Sequence, residues 1–219
     1  MIGLTLGTGF GAGVVIDGKL IIGDNSTAAE VWIMSNRNLP QSNAEEGISI
    51  RAVQTFYARN AADSNAFNLT PKDIFEIATG NQKGNSGAAL MAFEKLGRCL
   101  GDSLANLLTI FDGIAVIGGG LTGASSLYMP AVMDEINNHF FINRKGDRME
   151  RLSQKVFNYD DEGERKLFLK DYSKQIDVPG TTQKVTFDPE PRLAVATSKL
   201  GASKAISMGA YAFALSNLK

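Results

Sequence analysis

Two glycine-rich segments constrain the fold more than any other feature of the sequence. The first, residues 6–13 (LGTGFGAG), lies between two apolar runs, and the second, residues 116–123 (VIGGGLTG), closes an apolar run. Glycines let a backbone turn tightly and let a ligand approach its N–H groups closely. Each segment alone is also consistent with an ordinary turn that binds nothing.

The first glycine-rich segment lies at the bend of a predicted β-hairpin. Residues 3–22 alternate apolar and small residues, and the alternation breaks at Asp17-Gly18, a dipeptide typical of tight hairpin turns. We therefore expect two or three antiparallel strands at the start of the chain.

The bend itself has the chemistry of a phosphate site. Backbone N–H groups of Gly7, Thr8 and Gly9, together with the Thr8 hydroxyl, can donate to phosphate oxygens without a lysine. The pattern lacks the Gly-Lys-Ser/Thr of a P-loop. It also lacks the strand-to-helix turn of a dinucleotide fingerprint.

The second glycine-rich segment follows a predicted buried strand. Residues 113–117 have the length and apolar composition of such a strand, and Gly118, Gly119 and Gly120 end it. A glycine turn at the carboxyl end of a strand offers a flat backbone surface against which a nucleotide can lie. We expect these six glycine-turn residues, three in each segment, to bind nucleotide.

The rest of the chain predicts mainly helices in one domain. Apolar periodicity and capping residues indicate helices over 45–60, 70–80, 86–110, 127–140 and 201–215, with a strand over 192–196. The charged, aperiodic segment 143–191 is interpreted as surface elaboration, with helical pieces near 148–157 and 162–169. No internal repeat or linker divides the chain.

Composition narrows the class of partner. The chain has 219 residues, with 22 basic and 23 acidic side chains and a net charge of -1, so nothing favours nucleic acid or an anionic membrane. The single cysteine, Cys99, cannot form an internal disulfide, and no apolar run reaches the ~18 residues of a membrane span. We expect a cytoplasmic protein with a small or neutral ligand.

Taken together, the motifs resemble the ROK (repressor, ORF, kinase) family of sugar kinases, in particular bacterial glucokinases. That family's phosphate hairpin and sugar loop are similar to three stretches of this chain: Leu-Gly-Thr-Gly-Phe-Gly, Ile16-Asp17-Gly18-Lys19-Leu20 and Ala29-Glu30. Its adenosine strand is similar to residues 111–121. The likeness covers most of the chain except about 143–191. It implies an α/β fold, a mixed sheet flanked by helices, which is the ribonuclease H-like C-terminal lobe of the actin, Hsp70 and sugar-kinase superfamily.

The resemblance also implies a function. It is ATP-dependent phosphoryl transfer with Mg²⁺ to a hexose or hexosamine, by a cytoplasmic transferase that is often a homo-oligomer. Glu30 and Glu45 match the sugar-binding glutamates, with Glu46 an alternative if the register slips by one. Acidic residues at 45 and 46 would also favour a helix N-terminus whatever the ligand.

Departures from the family pattern shape three further expectations. Val31-Trp32-Ile33 replaces the usual glycine and histidine after the first glutamate, and Trp32 is expected to pack in the core or to stack on a sugar. Residues 35–43 contain no cysteine or histidine, so no zinc is expected. The first phosphate loop and the catalytic base have no match ahead of the hairpin, so we expect an incomplete chain that is inactive alone, with its catalytic residue unknown.

Other functional hypotheses remain open at this stage. The chain is alternatively a non-catalytic sugar- or nucleotide-binding regulatory module, or a fragment. A transcriptional repressor is disfavoured because no helix-turn-helix precedes the hairpin. If an N-terminal lobe is missing, the apolar helix 201–215 would require that lobe or self-association. The lone histidine, His139, is expected to interact with a helix end rather than to catalyse.

Overall fold

A computed structural model describes residues 1–62, 64–216 and 218. The strands are β1 (Ile2–Leu6), β2 (Phe10–Ile16), β3 (Lys19–Leu20), β4 (Ser35–Asn36), β5 (Leu39–Asn43), β6 (Ala115–Gly118), β7 (Phe140–Ile142), β8 (Arg148–Glu150), β9 (Lys155–Asn158), β10 (Lys174–Asp177), β11 (Lys184–Phe187) and β12 (Arg192–Thr197). The helices are α1 (Ile50–Ala61), α2 (Pro71–Ala78), α3 (Ser86–Phe111), α4 (Ser125–Asn137), α5 (Glu162–Phe168) and α6 (Ala202–Ser216). Short 3-10 turns span Val31–Ile33, Ala44–Gly47, Ser64–Asn68 and Gly120–Ala124.

The central sheet is mixed, as the resemblance implies. Its strand order is β3-β2-β1-β6-β12-β9. The first three strands form an antiparallel meander, with Asp17 and Gly18 at positive φ in the predicted turn, while β6 runs parallel to β1 and β12 runs parallel to both β6 and β9. The predicted fold class is therefore confirmed.

One face of the sheet packs against helices. Ile2, Leu4 and Leu6 alternate along β1 and are buried, as the period of two requires. Helix α3 is the spine of this layer and packs against α1, α2 and α4. Gly97 allows α4 to approach α3, because a Cβ there would overlap the carbonyl oxygen of Tyr128.

The opposite face of the sheet is largely uncovered over β1, β2 and β6, whereas α5 packs on it at β9 and β12. The uncovered part carries small residues such as Gly3, Thr5 and Gly13. A cavity of about 610 Å³ separates it from α6. No residue of α6 whose burial is described is buried. The helix predicted over 201–215 is therefore present, and its apolar side chains lack the burial that normally stabilises a helix in water.

Local capping chemistry explains the helix bounds. Thr70 and Asp73 form the capping box at the start of α2, as the Thr-Pro signal predicts. The helix expected from residue 45 begins instead at Ile50, because the Ser49 hydroxyl accepts the Ala52 N–H and a 3-10 turn precedes it.

The segment 143–191 differs from its interpretation as surface elaboration with helical pieces. Residues 148–157, expected to be helical, contain β8 and the start of β9. Strand β9 forms an edge of the central sheet, and its Val156 is fully buried. The expected helix near 162–169 is present as α5, and the β10–β11 hairpin is exposed on the surface.

Within the part of the chain that the structure describes, no helix is both long and apolar enough to cross a membrane.

Cys99 provides a test of the packing around α3. Burial raises the pKa of its thiol to about 12, so at pH 8 only about one molecule in ten thousand would carry the reactive thiolate. We expect negligible reaction with a thiol reagent in native buffer and rapid reaction in guanidinium chloride. Fast reaction of the native protein would show that α3 is not packed as described.

Candidate functional site

The two glycine turns meet at one edge of the sheet. Strands β1 and β6 are parallel neighbours, so Leu6 and Gly118 end at the same edge. Gly119 has φ +97°, and a Cβ on it would overlap the backbone of Leu6. Glycine at this position therefore lets the second turn lie directly against the root of the first.

The tip of the first hairpin is docked on the N-terminal end of α1. The Ile50 N–H donates to the Gly7 carbonyl at 2.9 Å, and the Gly7 N–H donates to the Gly9 carbonyl at 3.0 Å. The Phe10 N–H donates to Glu45 Oε2 at 3.1 Å. Thr8, at the apex of the hairpin, is exposed. The tip is therefore held by hydrogen bonds on either side of Thr8, while Thr8 itself is open to solvent.

Glu45 lies against this tip and has both carboxylate oxygens engaged. Its Oε1 pairs with Arg51 at 3.2 Å, and the same guanidinium contacts Glu46 at 2.9 Å. A Cβ on Gly9 would stand 2.5 Å from Glu45 Oε2, so Gly9 leaves room for the carboxylate. Sequence reasoning missed Arg51, since an exposed arginine in the first turn of a helix is unremarkable.

Glu30 lies apart from this contact. It is exposed, precedes the turn Val31–Ile33, and accepts a hydrogen bond from the Trp32 indole nitrogen rather than from the hairpin tip. Trp32 is 39% exposed and Ile33 58% exposed. Of the two roles expected for Trp32, packing in the core is therefore wrong, and stacking on a sugar stays a prediction. Its indole donates a hydrogen bond that orients Glu30.

Hydrogen bonds hold the β4–β5 hairpin, the segment for which the sequence predicts no zinc. The buried Asn36 amide donates to the Cys99 carbonyl at 2.7 Å and approaches the Ser103 hydroxyl at 3.3 Å. The Arg37 N–H donates to Asp102 Oδ2 at 2.9 Å. Among the residues that the structure describes, no three His, Cys, Asp or Glu side chains are grouped to hold a metal, and the absence of zinc stays a prediction.

Cavities lie on both sides of the second glycine turn. Gly120 lines one of about 340 Å³, whose other wall is the start of α2 with Lys72, Phe75 and Glu76. Gly118 and Gly119 line the larger cavity facing α6. The α2 side was missed from sequence, because its residues are typical of any amphipathic helix.

Comparisons with known proteins agree with this geometry. The model of the ROK family matches residues 1–156. A crystal structure of a glucokinase from Parabacteroides distasonis is 45% identical, with a TM-score of 0.89. A ROK family glucokinase from Streptomyces griseus, solved in complex with glucose and AMPPNP, is 25% identical with a TM-score of 0.53. An N-acetyl-D-glucosamine kinase of Vibrio parahaemolyticus is 27% identical over 146 residues.

The coverage of these relatives is partial. The P. distasonis match covers 99% of this chain and 58% of that protein, and the S. griseus match covers 61% and 48%. The V. parahaemolyticus match covers 58% of this chain and 46% of the kinase. The chain thus spans about half the length of the relatives it matches.

Gly9→Ala tests the contact between the tip and Glu45. The new methyl group would displace the carboxylate and free the Phe10 N–H, so we expect hydrogen exchange of that amide to accelerate about tenfold or more. Gly7→Ala is the matched control, because a Cβ there has nothing within 4 Å. Equal Phe10 exchange in both variants would contradict the contact.

Proposed function

The chain belongs to the ROK family, and we propose that it forms the nucleotide- and sugar-binding C-terminal lobe of an ATP-dependent hexose or hexosamine kinase. The observation that carries the proposal is the close packing of Gly119 on Leu6, which sets two glycine turns side by side at the carboxyl edge of the sheet. Ligands of α/β sheets bind at this edge. The names of the relatives, glucokinase and N-acetyl-D-glucosamine kinase, support the substrate class.

The nucleotide is proposed to span both turns. Phosphates would accept hydrogen bonds from the N–H groups of Thr8 and Gly9 and from the Thr8 hydroxyl. They would lie against Gly7, whose own N–H is held by the Gly9 carbonyl. The adenosine would lie along Gly118 to Gly120, with the base in the cavity beside Lys72 and Phe75 of α2. Gly120 is the residue of the second glycine turn that would contact the base, because it lines that cavity.

The sugar is proposed to lie beside Glu45 and Glu30. A carboxylate oxygen has lone pairs beyond one hydrogen bond, so Glu45 can accept from a sugar hydroxyl while it holds the Phe10 N–H. Glu30, exposed and oriented by Trp32, would supply a second acceptor. Carboxylates suit the hydroxyl edge of a hexose or hexosamine alike.

The reaction would be attack of a sugar hydroxyl oxygen on the γ-phosphorus, with cleavage of the bond to the β–γ bridging oxygen. Donors at the hairpin tip would stabilise the charge that develops on the transferred group. Mg²⁺ would arrive with the nucleotide phosphates. No residue of this chain is assigned as the base that takes the hydroxyl proton. We therefore propose that the 219 residues alone bind substrates without turnover, and binding without any kinase role remains the alternative.

Calorimetry with Mg-ATP tests the nucleotide site. Gly7→Ala and Gly120→Ala each add a methyl group to open space, where ligand atoms would lie, so we expect Kd to rise at least about tenfold in each. Gly87→Ala on α3 is the control, because its new Cβ meets only ordinary contact with Asn85. Substitution of Gly119 is avoided, since it would distort β1 itself.

Two results of this titration would contradict the proposal. One is the absence of Mg-ATP binding to the wild type. The other is an equal affinity in wild type, Gly7→Ala and Gly120→Ala, which would exclude both turns as ligand surfaces. Turnover of a hexose by the isolated chain near ~10 per second would refute only the proposed inactivity.

Helix α6 is proposed to need a partner. Met208, Tyr211 and Leu215 recur at helical spacing and are exposed. Burial of apolar surface contributes about 25 cal/mol per Å², so a few hundred Å² left in water forgoes several kcal/mol. A second copy of the chain, or an N-terminal lobe supplied in trans, would cover this stripe.

Sedimentation and thermal melting test the partner proposal. We expect concentration-dependent association of the wild type, weakened by Tyr211→Lys and unchanged by Leu167→Lys, a matched exposed position on α5. Adding the N-terminal lobe of a relative should raise Tm by at least ~2 °C. A monodisperse monomer with unchanged melting would contradict both forms of the proposal.

A further inference from the structure

A buried ion cluster joins α3, α4 and the segment between β8 and β9. Arg151, whose side chain is 3% exposed, donates from one terminal nitrogen to Asp102 Oδ1 at 2.7 Å and from the other to Glu135 Oε1 at 3.0 Å. Both carboxylates are buried. The guanidinium therefore bridges two helices from a third part of the chain, with the fork geometry that arginine provides.

Asp102 also holds the β4–β5 hairpin. While Oδ1 accepts from Arg151, Oδ2 accepts the Arg37 N–H at 2.9 Å. One carboxylate thus links the arginine to the turn of the hairpin. The orientation of Asp102 is set from both sides, so loss of either bond loosens the other.

The β4–β5 hairpin positions Glu45 against the tip of the first hairpin. Strand β5 ends at Asn43, whose side chain accepts the Glu46 N–H and so caps the turn that contains Glu45. The base of the hairpin is closed by the Ala44 N–H, which donates to the Met34 carbonyl at 2.8 Å. Displacement of the hairpin would therefore move the carboxylate that holds the Phe10 N–H.

We infer that Arg151 is a positioning residue for the segment that carries Glu45. The inference rests on the proposed function, in which Glu45 serves the sugar and the phosphate tip together. Arg151 touches neither ligand. It acts through Asp102 and the hairpin, from a segment that the sequence suggests is peripheral.

The neighbouring charges make the cluster depend on Arg151. Glu135 Oε2 is buried without a hydrogen-bond partner among the described residues. Arg37 and Arg98 approach this carboxylate only to 3.7 Å, and His139 Nδ1 stands 3.3 Å from Oε2. Without Arg151, the buried Asp102 would lose its guanidinium partner. Glu135 would lose its shortest ionic contact and keep only those longer ones, and leaving buried carboxylates so poorly paired is costly.

Other titratable groups face the cluster from its rim. Asp134 of α4 pairs with Arg98 at 2.9 Å, and that arginine also approaches His139 Nε2 at 3.2 Å and Glu94 at 3.3 Å. These groups are partly exposed, so water screens them.

The experiment measures amide hydrogen exchange in the 219-residue chain, at the Arg37 and Phe10 amides. Arg151→Met keeps the volume and removes both ionic contacts, and we expect Arg37 exchange to accelerate about tenfold or more and Phe10 exchange severalfold. Arg151→Lys, which keeps the charge, should restore part of the protection at both amides. Arg148→Met is the matched control, because Arg148 lies in β8, three residues before Arg151, and its side chain is exposed.

Comparison of the two Arg151 variants separates positioning by charge from simple packing. We expect slower Arg37 exchange in Arg151→Lys than in Arg151→Met, because only the lysine can pair with the buried carboxylates. Equal exchange of Arg37 and of Phe10 in the two variants would overturn the ionic role of Arg151.

Three other outcomes would overturn the inference. They are unchanged Arg37 exchange in Arg151→Met, faster Arg37 exchange with no change at Phe10, and an equal acceleration at remote core amides such as Ile117, which indicates global loss of stability. If Arg151→Met does not fold, the same comparison in Arg151→Lys decides, with unchanged Phe10 exchange as the refuting result. Calorimetry of the wild type with Mg-ATP tests the proposed function, and amide exchange tests the positioning role of Arg151. Failure of one proposal is therefore distinguishable from failure of the other.

Discussion

The arrangement of the site depends on one close backbone approach, that of Gly119 to Leu6. Any side chain at 119 would overlap the backbone of Leu6 in β1. Glycine at this position therefore allows the turn after β6 to pack directly against the end of β1. Parallel pairing of β1 with β6 then sets both glycine turns at one edge of the sheet. The proposed ligand surface is thus a consequence of strand register together with one residue that lacks a Cβ.

A second constraint ties that surface to the helical layer. The hairpin tip is fixed by two hydrogen bonds, one from the Ile50 N–H and one to the Glu45 carboxylate. Glu45 in turn follows the β4–β5 hairpin, which the buried ion cluster around Arg151 fastens to α3. The elements that would bind phosphate and sugar therefore form a continuous set of contacts, and a change in one is transmitted to the next by short polar bonds.

Local chemistry made much of the fold predictable, and long-range contacts account for what was missed. The Asp17-Gly18 turn and the Thr70 cap depend only on residues next to them in the sequence, and both are confirmed. Residues 148–157 have no clean period, and β9 exists only because β12 lies beside it. In the candidate site the glycines were identifiable by type, whereas Arg151, 49 positions from Asp102, carries no signal in a single sequence.

The proposed nucleotide site requires both glycine turns to bind one nucleotide. It is tested most directly by titrating the isotopically labelled chain with Mg-AMPPNP and following amide resonances. We expect the amide resonances of Gly7, Thr8 and Gly9 to shift together with those of Gly118, Gly119 and Gly120, with one common binding curve. Shifts confined to one turn, or located on the β10–β11 hairpin and other remote surfaces, would contradict it.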